Sequence, residues 1–519
     1  MAYEDKSGAQ PVFNASKEIR LLTISAVTNE DSLATLRCTL HYVDRETRPT
    51  YTAISYTWGE GPANTNEVIC NGCPLLVGNN CYTLLCELRR LKLTGHENLI
   101  WMDALCINQA DVGERNAQVA RMGDTFRSAA KTIVFLRQDI IEDSSPFPTD
   151  YVNMSYRPLS PDPDLKKSDM HNPWYRPTGG HSTSTDIYQR VWFGRGDRSK
   201  DVQLRMSTLT TNPWFTRTWI VQELMLSREP SLLMEGDACL VPWKILDQMY
   251  AIWSPVSCET PQVVTMHAGW TATGIDAFVD GVRVANSEDP GQEKATYLRR
   301  LFATLVRTRK FRCTDPRDKL YGILALFSMT HLETLQPDYN KSALTVYSDL
   351  IWSMLESGIT DILALAGLHA NEVWPSWVVD WSIDPRFCRD KLIERPSQYK
   401  AGFVGGRGRL HVSRSDDGRT LVVRGLMVGH VQSDYLAVLA SDQISSLGTR
   451  QYPACVEDLV RILLGCSMPF VLRKDGDRLR LVDECRISGY MKGEALAHLD
   501  ASSCYGVTPP PGLQDFEIH

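Results

Sequence analysis

The chain has no surplus of cationic residues. Over 519 residues, 55 Lys and Arg stand against 62 Asp and Glu, a formal net charge of −7. Without a basic stripe to neutralise a phosphate backbone, no nucleic-acid partner is expected. Long apolar runs are missing too. The longest, Leu459 to Leu472, is too short for a bilayer span and is interrupted by Arg461. The opening MAYEDKSGAQPVFNASKEIR lacks the charged-then-apolar order of a secretory signal. These absences predict a soluble, cytoplasmic protein with no membrane partner.

The familiar catalytic fingerprints are absent as well: there is no GxxxxGK[ST], no HExxH and no GxSxG. The glycine cluster GGRGRL, Gly405 to Leu410, precedes a strand instead of joining a strand to a helix, and reads as a loop. The 11 histidines show no ligand spacing, so His369 and His498 read as surface or packing residues. Of the 14 cysteines, the tightest group is Cys70, Cys73, Cys81 and Cys86, whose single CxxC lacks the second short pair of a zinc ribbon. Asn71-Gly72 within that CxxC reads first as a hairpin turn. No metal is expected, and reduced thiols are. Cys106, flanked by apolar residues in ALCINQ, reads as buried and inert.

What the chain does have is 43% hydrophobic residues, enough for a large core and for two or three domains. After a polar tail over 1–17, the runs EIRLLTI, TLRCTLHYV and YTAISYTWG are short, β-branched and aromatic, and predict strands. CYTLLCELRRL has helical spacing, and NLIWMDAL reads as a buried strand. Asp111 and Glu114 have capping-box spacing, with Val119, Met122 and Phe126 on one face of a helix that runs to about Ala130 before the apolar strand TIVFL. Strand and helix alternate, the order of a parallel sheet flanked by helices, here with added N-terminal strands. A Pro-, Ser- and Asp-rich insertion spans about 138–200, and NPWFTRTWIVQELML then resumes helical spacing after Asn212-Pro213. The expected organisation is an α/β domain over 18–250 and a mixed α+β region over 251–519. That second region carries helices near 295–306 and 343–355 and hairpins in RLHVSRSDDGRTLVVRGLMV and FVLRKDGDRLRLVDE.

Carboxylates beside aromatic residues are the remaining chemical candidates. Asp103 closes the strand LIWMD, at the sheet edge where α/β folds collect ligands, or else caps the turn that follows. Glu114 reads as a helix cap. Glu223 lies four residues after Trp219 on one helix face; it either meets a ligand beside the indole or forms a rim ion pair with Arg217 or Arg121.

YTAISYTWG, IWMDALCINQADVGERNAQVARMGDTFRSA and NPWFTRTWIVQEL resemble, in order, the three signature blocks of the fungal heterokaryon incompatibility (HET) domain. The resemblance covers roughly 18–245, and CTDPRDKLYGILAL, PDYNKSALTVYSDL, PSWVVDWS and SGYMKGEAL extend it to the region that accompanies the domain. The middle insertion is long and GYMKGEAL is a loose version of its motif. Such proteins act in non-self recognition during hyphal fusion and in the cell death that follows. The HET domain is itself distantly similar to TIR domains, which implies a flavodoxin-like sheet. Trp219 and Glu223 have the spacing of the tryptophan and glutamate of the TIR W-C-x-x-E-L helix. In enzymatic TIR domains that glutamate cleaves NAD.

The resemblance therefore implies Glu223 as the catalytic residue, Trp58, Asp103 and Trp219 as residues that bind the nucleotide, and NAD as substrate with no cofactor. The alternative it leaves open is a non-enzymatic signalling module acting through self-association or protein partners. A degenerate member with neither property is a third reading.

Overall fold

The computed structural model describes residues 13–26, 35–59, 66–137, 212–236, 240–243, 294–309, 311–327, 332–367, 373–383, 399–404, 411–430, 457–485, 487, 489–499, 504 and 509–519. Most of the polar tail, the insertion expected at 138–200, His369 and GGRGRL lie outside the described residues. The chain divides into two compact units, Met1–Val284 and Ala285–His519.

The first unit is built on a nine-stranded sheet. In chain order its strands are β1 (Glu18–Ile24), β2 (Arg37–Asp44), β3 (Thr52–Tyr56), β4 (Asn66–Cys70), β5 (Cys73–Val77), β6 (Ile100–Trp101), β7 (Lys131–Leu136), β8 (Pro230–Met234) and β9 (Val241–Pro242). They lie in the order β5-β4-β2-β1-β6-β3-β7-β8-β9. The sheet is mixed. β6, β3, β7 and β8 run parallel to their neighbours in this group, while β1 lies antiparallel to β6 and to β2. Burial explains the sequence pattern: β3 and β7 are buried almost throughout, as central parallel strands must be. In β2, by contrast, exposed Arg37 and Thr39 alternate with buried Cys38 and Leu40. Asn71 and Gly72 both have positive φ, 52° and 75°, the backbone a two-residue hairpin turn requires between β4 and β5.

Helices α1 (Asn79–Arg90), α2 (Asp103–Cys106), α3 (Val112–Ala120), α4 (Met122–Ser128) and α5 (Ile220–Met225) complete the described part of this unit. Three expectations need correcting. The strand in NLIWMDAL pairs only at Ile100 and Trp101, because Asp103 already opens α2. The helix expected from Asp111 to Ala130 breaks at Arg121 into α3 and α4. WFTRTWIVQELML is not one helix: Pro213–Thr216 form a 3-10 turn capped by Asn212, Arg217 is extended at ψ 138°, and only then does α5 begin.

The second unit contains α6 (Lys294–Thr308), α7 (Asp318–Leu324) and α8 (Ala343–Glu356), with the strands β10 (Val412–Arg414), β11 (Leu421–His430), β12 (Leu459–Leu463), β13 (Phe470–Asp475), β14 (Arg478–Glu484) and β15 (Leu513–Ile518). Its described residues form helices and β-hairpins. The ladder from β11 to β15 closes on itself, because β11 also pairs with β15. Gly425 permits one crowded crossing of this small barrel, since a Cβ there would lie 2.5 Å from the Ile462 carbonyl oxygen.

Candidate active site

Parallel strands deliver their carboxyl ends to one edge of the sheet, and three candidates meet near that edge. β3 ends in Ser55 and Tyr56, with Trp58 just beyond. Asp103 follows β6, and Glu223 sits on α5 shortly before β8. Glu223 is 2% exposed, so it is not the rim carboxylate that one reading of the sequence allowed. Its Oε2 is hydrogen-bonded to the Ser55 hydroxyl, and Trp214 Nε1 donates to the same Ser55 Oγ at 2.8 Å. Arg217 Nη1 lies 3.6 Å from Glu223 Oε2 and donates to the Tyr56 carbonyl at 2.6 Å. The pairing with Arg217 is thus found, but in the interior. Oε1 of Glu223 has no hydrogen bond among the described residues.

Asp103 is half-buried and serves both roles read for it. Its Oδ1 accepts the Ala104 amide at 2.8 Å, a local turn contact. Its two oxygens also accept Trp58 Nε1 at 3.1 and 3.0 Å, although Trp58 itself is 47% exposed. An exposed indole is therefore anchored by its N–H edge to a carboxylate. Gln109 Nε2 holds the Asp103 carbonyl at 3.1 Å.

Electrostatics tie the two carboxylates together. Burial pushes the Glu223 carboxyl above the usual carboxylate range; the Arg217 guanidinium and the Ser55 hydrogen bond oppose that shift, and the Asp103 charge adds to it. Asp103 is raised by burial as well, with Arg217 and Trp58 pulling it down. A single guanidinium therefore acts on both acids.

The loops around these groups are pinned by polar side chains. Asn80, in the first turn of α1, donates to the Thr57 carbonyl at 2.8 Å and accepts from Arg137 Nη1 at 2.8 Å. Asn212 donates to the Arg137 carbonyl at 2.9 Å while accepting the Trp214 amide at 3.0 Å. Of the residues singled out from sequence, Trp58, Asp103 and Glu223 come together. Trp219 is half-buried and packs against the apolar core, and its carbonyl accepts the Glu223 amide at 3.1 Å.

Sequence reasoning passed over Ser55, Trp214 and Asn80, and treated Arg217 only as a rim partner. Ser55 lies inside the YTAISYTWG block, but its partners are 159 and 168 residues away along the chain, and no local spacing encodes them.

Glu114 does not close the capping box expected of it, because the Asp111 amide is bonded to the Asn108 carbonyl instead. Asp111 caps α3 by accepting the Glu114 amide at 3.0 Å, whereas the Glu114 carboxylate leaves the helix and binds Arg20 of β1, with Nη2 to Oε2 at 2.9 Å. It also accepts the Asn108 amide at 2.7 Å. Cys106 is buried and its thiol is pushed up to about 12, in keeping with an inert sulfur. Among the described residues no group of three or more His, Cys, Asp or Glu could hold a metal ion, and no helix is long and apolar enough to cross a membrane.

Residues 51–223 match the family model described as heterokaryon incompatibility protein (HET). The match encloses Trp58, Asp103 and Trp219 and ends on Glu223. The curated heterokaryon incompatibility protein 6, OR allele, of Neurospora crassa is 24% identical over 413 residues, which is 71% of this chain. The chain spans 58% of that relative's length. No solved structure matches.

Proposed function

We propose that this chain, which carries a HET domain over residues 51–223, serves a fungal incompatibility response leading to cell death, and that it does so by cleaving the nicotinamide–ribose bond of NAD with Glu223 as the catalytic carboxylate. The incompatibility role draws on the family match and on the name of the Neurospora relative. The chemical reading draws on the convergence of Glu223, Asp103, Arg217 and Trp58 near one edge of the sheet. In chain order the parallel core β6-β3-β7-β8 reads second, first, third, fourth. That is the order of the first four strands in flavodoxin-like sheets, to which TIR domains are similar, and such sheets bind ligands where the order reverses.

One carboxylate is sufficient for this reaction. An ordinary glycoside needs a second carboxyl group to protonate its leaving alcohol. Nicotinamide leaves from a cationic pyridinium: the C1′–N bond breaks, the electron pair stays on the ring nitrogen, and the departing base is neutral. The site must stabilise the oxocarbenium-like ribose until water adds to C1′ and releases a proton. A buried anion does this electrostatically, with little reorganisation. Glu223 supplies the anion, Trp58 a face for a ring, and Asp103 hydrogen-bond capacity near the sugar.

The test is nicotinamide release from NAD by the purified full-length chain, alone and self-associated. Glu223→Gln is expected to abolish release while the protein stays folded, and absence of turnover in every assembly state overturns the enzymatic reading. The Arg217 contact favours a second reading, in which Glu223 is a structural ion-pair partner and the domain signals by self-association or partner binding. On that reading Glu223→Gln still kills cells when overexpressed, whereas surface substitutions that break assembly do not.

A further inference from the structure

The hydroxyl between Trp214 and Glu223 admits only one arrangement of protons that satisfies every donor. An indole N–H can only donate, so Trp214 Nε1, 2.8 Å from Ser55 Oγ, occupies one lone pair of that oxygen. Ser55 is 1% exposed and has its own proton to place. Among the described residues the one acceptor within reach is Glu223 Oε2. Were Oε2 itself protonated toward Ser55, the serine proton would be buried without a partner, which is costly. The chain from indole to hydroxyl to carboxylate therefore runs in one direction and ends on an unprotonated oxygen.

We infer that Ser55 and Trp214 are positioning residues: they hold Glu223 Oε2 as a hydrogen-bond acceptor, fix the rotamer of the carboxylate, and leave Oε1 as the oxygen presented to a bound sugar. Three observations carry this. Trp214, Ser55 and Glu223 are 0%, 1% and 2% exposed, so the chain is shielded from competing water. Oε2 is engaged twice, by Ser55 and by Arg217, whereas Oε1 has no hydrogen bond among the described residues. The three elements that supply the groups are themselves fixed, Trp214 in the 3-10 turn capped by Asn212, Ser55 in a central strand, and Glu223 in α5. A carboxylate aimed in this way is arranged before substrate arrives, which is what electrostatic stabilisation of a transient cation requires. The inference deepens the reading of Glu223 as catalytic and rests on it for its chemical consequence, but the hydrogen-bond chain can be tested without turnover.

The test uses the full chain labelled with 13C at the glutamate side-chain carboxyl, with Glu223→Gln identifying the Glu223 resonance. Ser55→Ala is expected to move the Glu223 titration midpoint to higher pH, Trp214→Phe to move it the same way by less, and Ser55→Thr to restore the wild-type value. Nicotinamide release should fall about 10- to 100-fold in kcat for Ser55→Ala, as befits one hydrogen bond to a charged group, with KM within about twofold. Trp214→Phe keeps the ring in the core and carries the test if Ser55→Ala does not fold. A midpoint unmoved by Ser55→Ala or by Trp214→Phe overturns the inference, as does a Ser55→Thr protein as impaired as Ser55→Ala. If the midpoints move as expected but no form releases nicotinamide, the hydrogen-bond chain stands and the NAD reading fails. If the wild type turns over and Ser55→Ala matches it in kcat and midpoint, the NAD reading stands and the positioning role fails.

Discussion

Removing the Glu114 carboxylate should loosen the site from a distance, and the size of the effect follows from burial. Arg20 is 3% and Glu114 8% exposed, and the pair joins β1 to α3. The guanidinium also lies 3.8 Å over the Phe13 ring, and the carboxylate accepts the Asn108 amide at 2.7 Å. Glu114→Leu leaves a buried cation without its counterion, which costs about 3–5 kcal/mol. The orphaned Asn108 amide adds about 1–3 kcal/mol if water cannot reach it.

Because Asn108 adjoins Gln109, whose side chain holds the Asp103 carbonyl, part of the loss should appear at Asp103. Arg20→Met with Glu114→Leu removes both charges and should recover most of the stability, since an apolar pair of similar volume is about as stable as a buried ion pair. Hydrogen exchange of the full chain in urea reads this locally, from peptides covering β1 and α3. A double variant whose loss equals the sum of the two single losses would refute the reasoning, because it would mean that the charges do not interact.

Glu223 carries a pH prediction of definite sign. Its folded-state pKa is raised by burial, so the carboxylate is less favourable in the folded chain than in the unfolded one, and ionisation costs stability as pH rises through the unfolded-state value of about 4.3 and on through the folded-state value. Glu223→Gln should therefore melt at a higher temperature than wild type at neutral pH, with the difference vanishing below about pH 4; a difference that grows on acidification counts against this. The acid limb of the kcat profile for nicotinamide release should lie above the ordinary carboxylate range. Trp58→Ala should raise KM for NAD roughly two- to tenfold through lost stacking, and Trp58→Phe, which keeps a ring but loses the N–H to Asp103, separates stacking from anchoring. Gln222 is 1% exposed and, among the described residues, neither atom of its amide has a hydrogen-bond partner. Gln222→Met, of similar volume, should stabilise the protein by about 1–3 kcal/mol in thermal or urea unfolding, and a loss of stability would show that the amide has a function.

Local pattern alone determined much of this protein. Alternation and β-branching located β1, β2, β3 and β7, Asn-Gly and Asp-Gly located hairpin turns in both units, and apolar spacing located α1, α6 and α8, because each of these depends on residues within one or two turns of one another. The spacing of Trp219 and Glu223 drew attention to this carboxylate through resemblance, whereas composition alone left it a surface charge, and the structure buries it. Tertiary structure decided the rest. The break at Arg217 places that guanidinium beside Glu223 instead of on a rim, and the mixed strand order sets Trp58 against Asp103. Ser55 meets Glu223 across 168 residues of chain. Burial, the proton direction at Ser55 and the shared field of Arg217 belong to neighbours brought together by the sheet. A one-dimensional pattern can show that a carboxylate sits on an apolar helix, but its chemistry depends on which groups face it once water has been excluded.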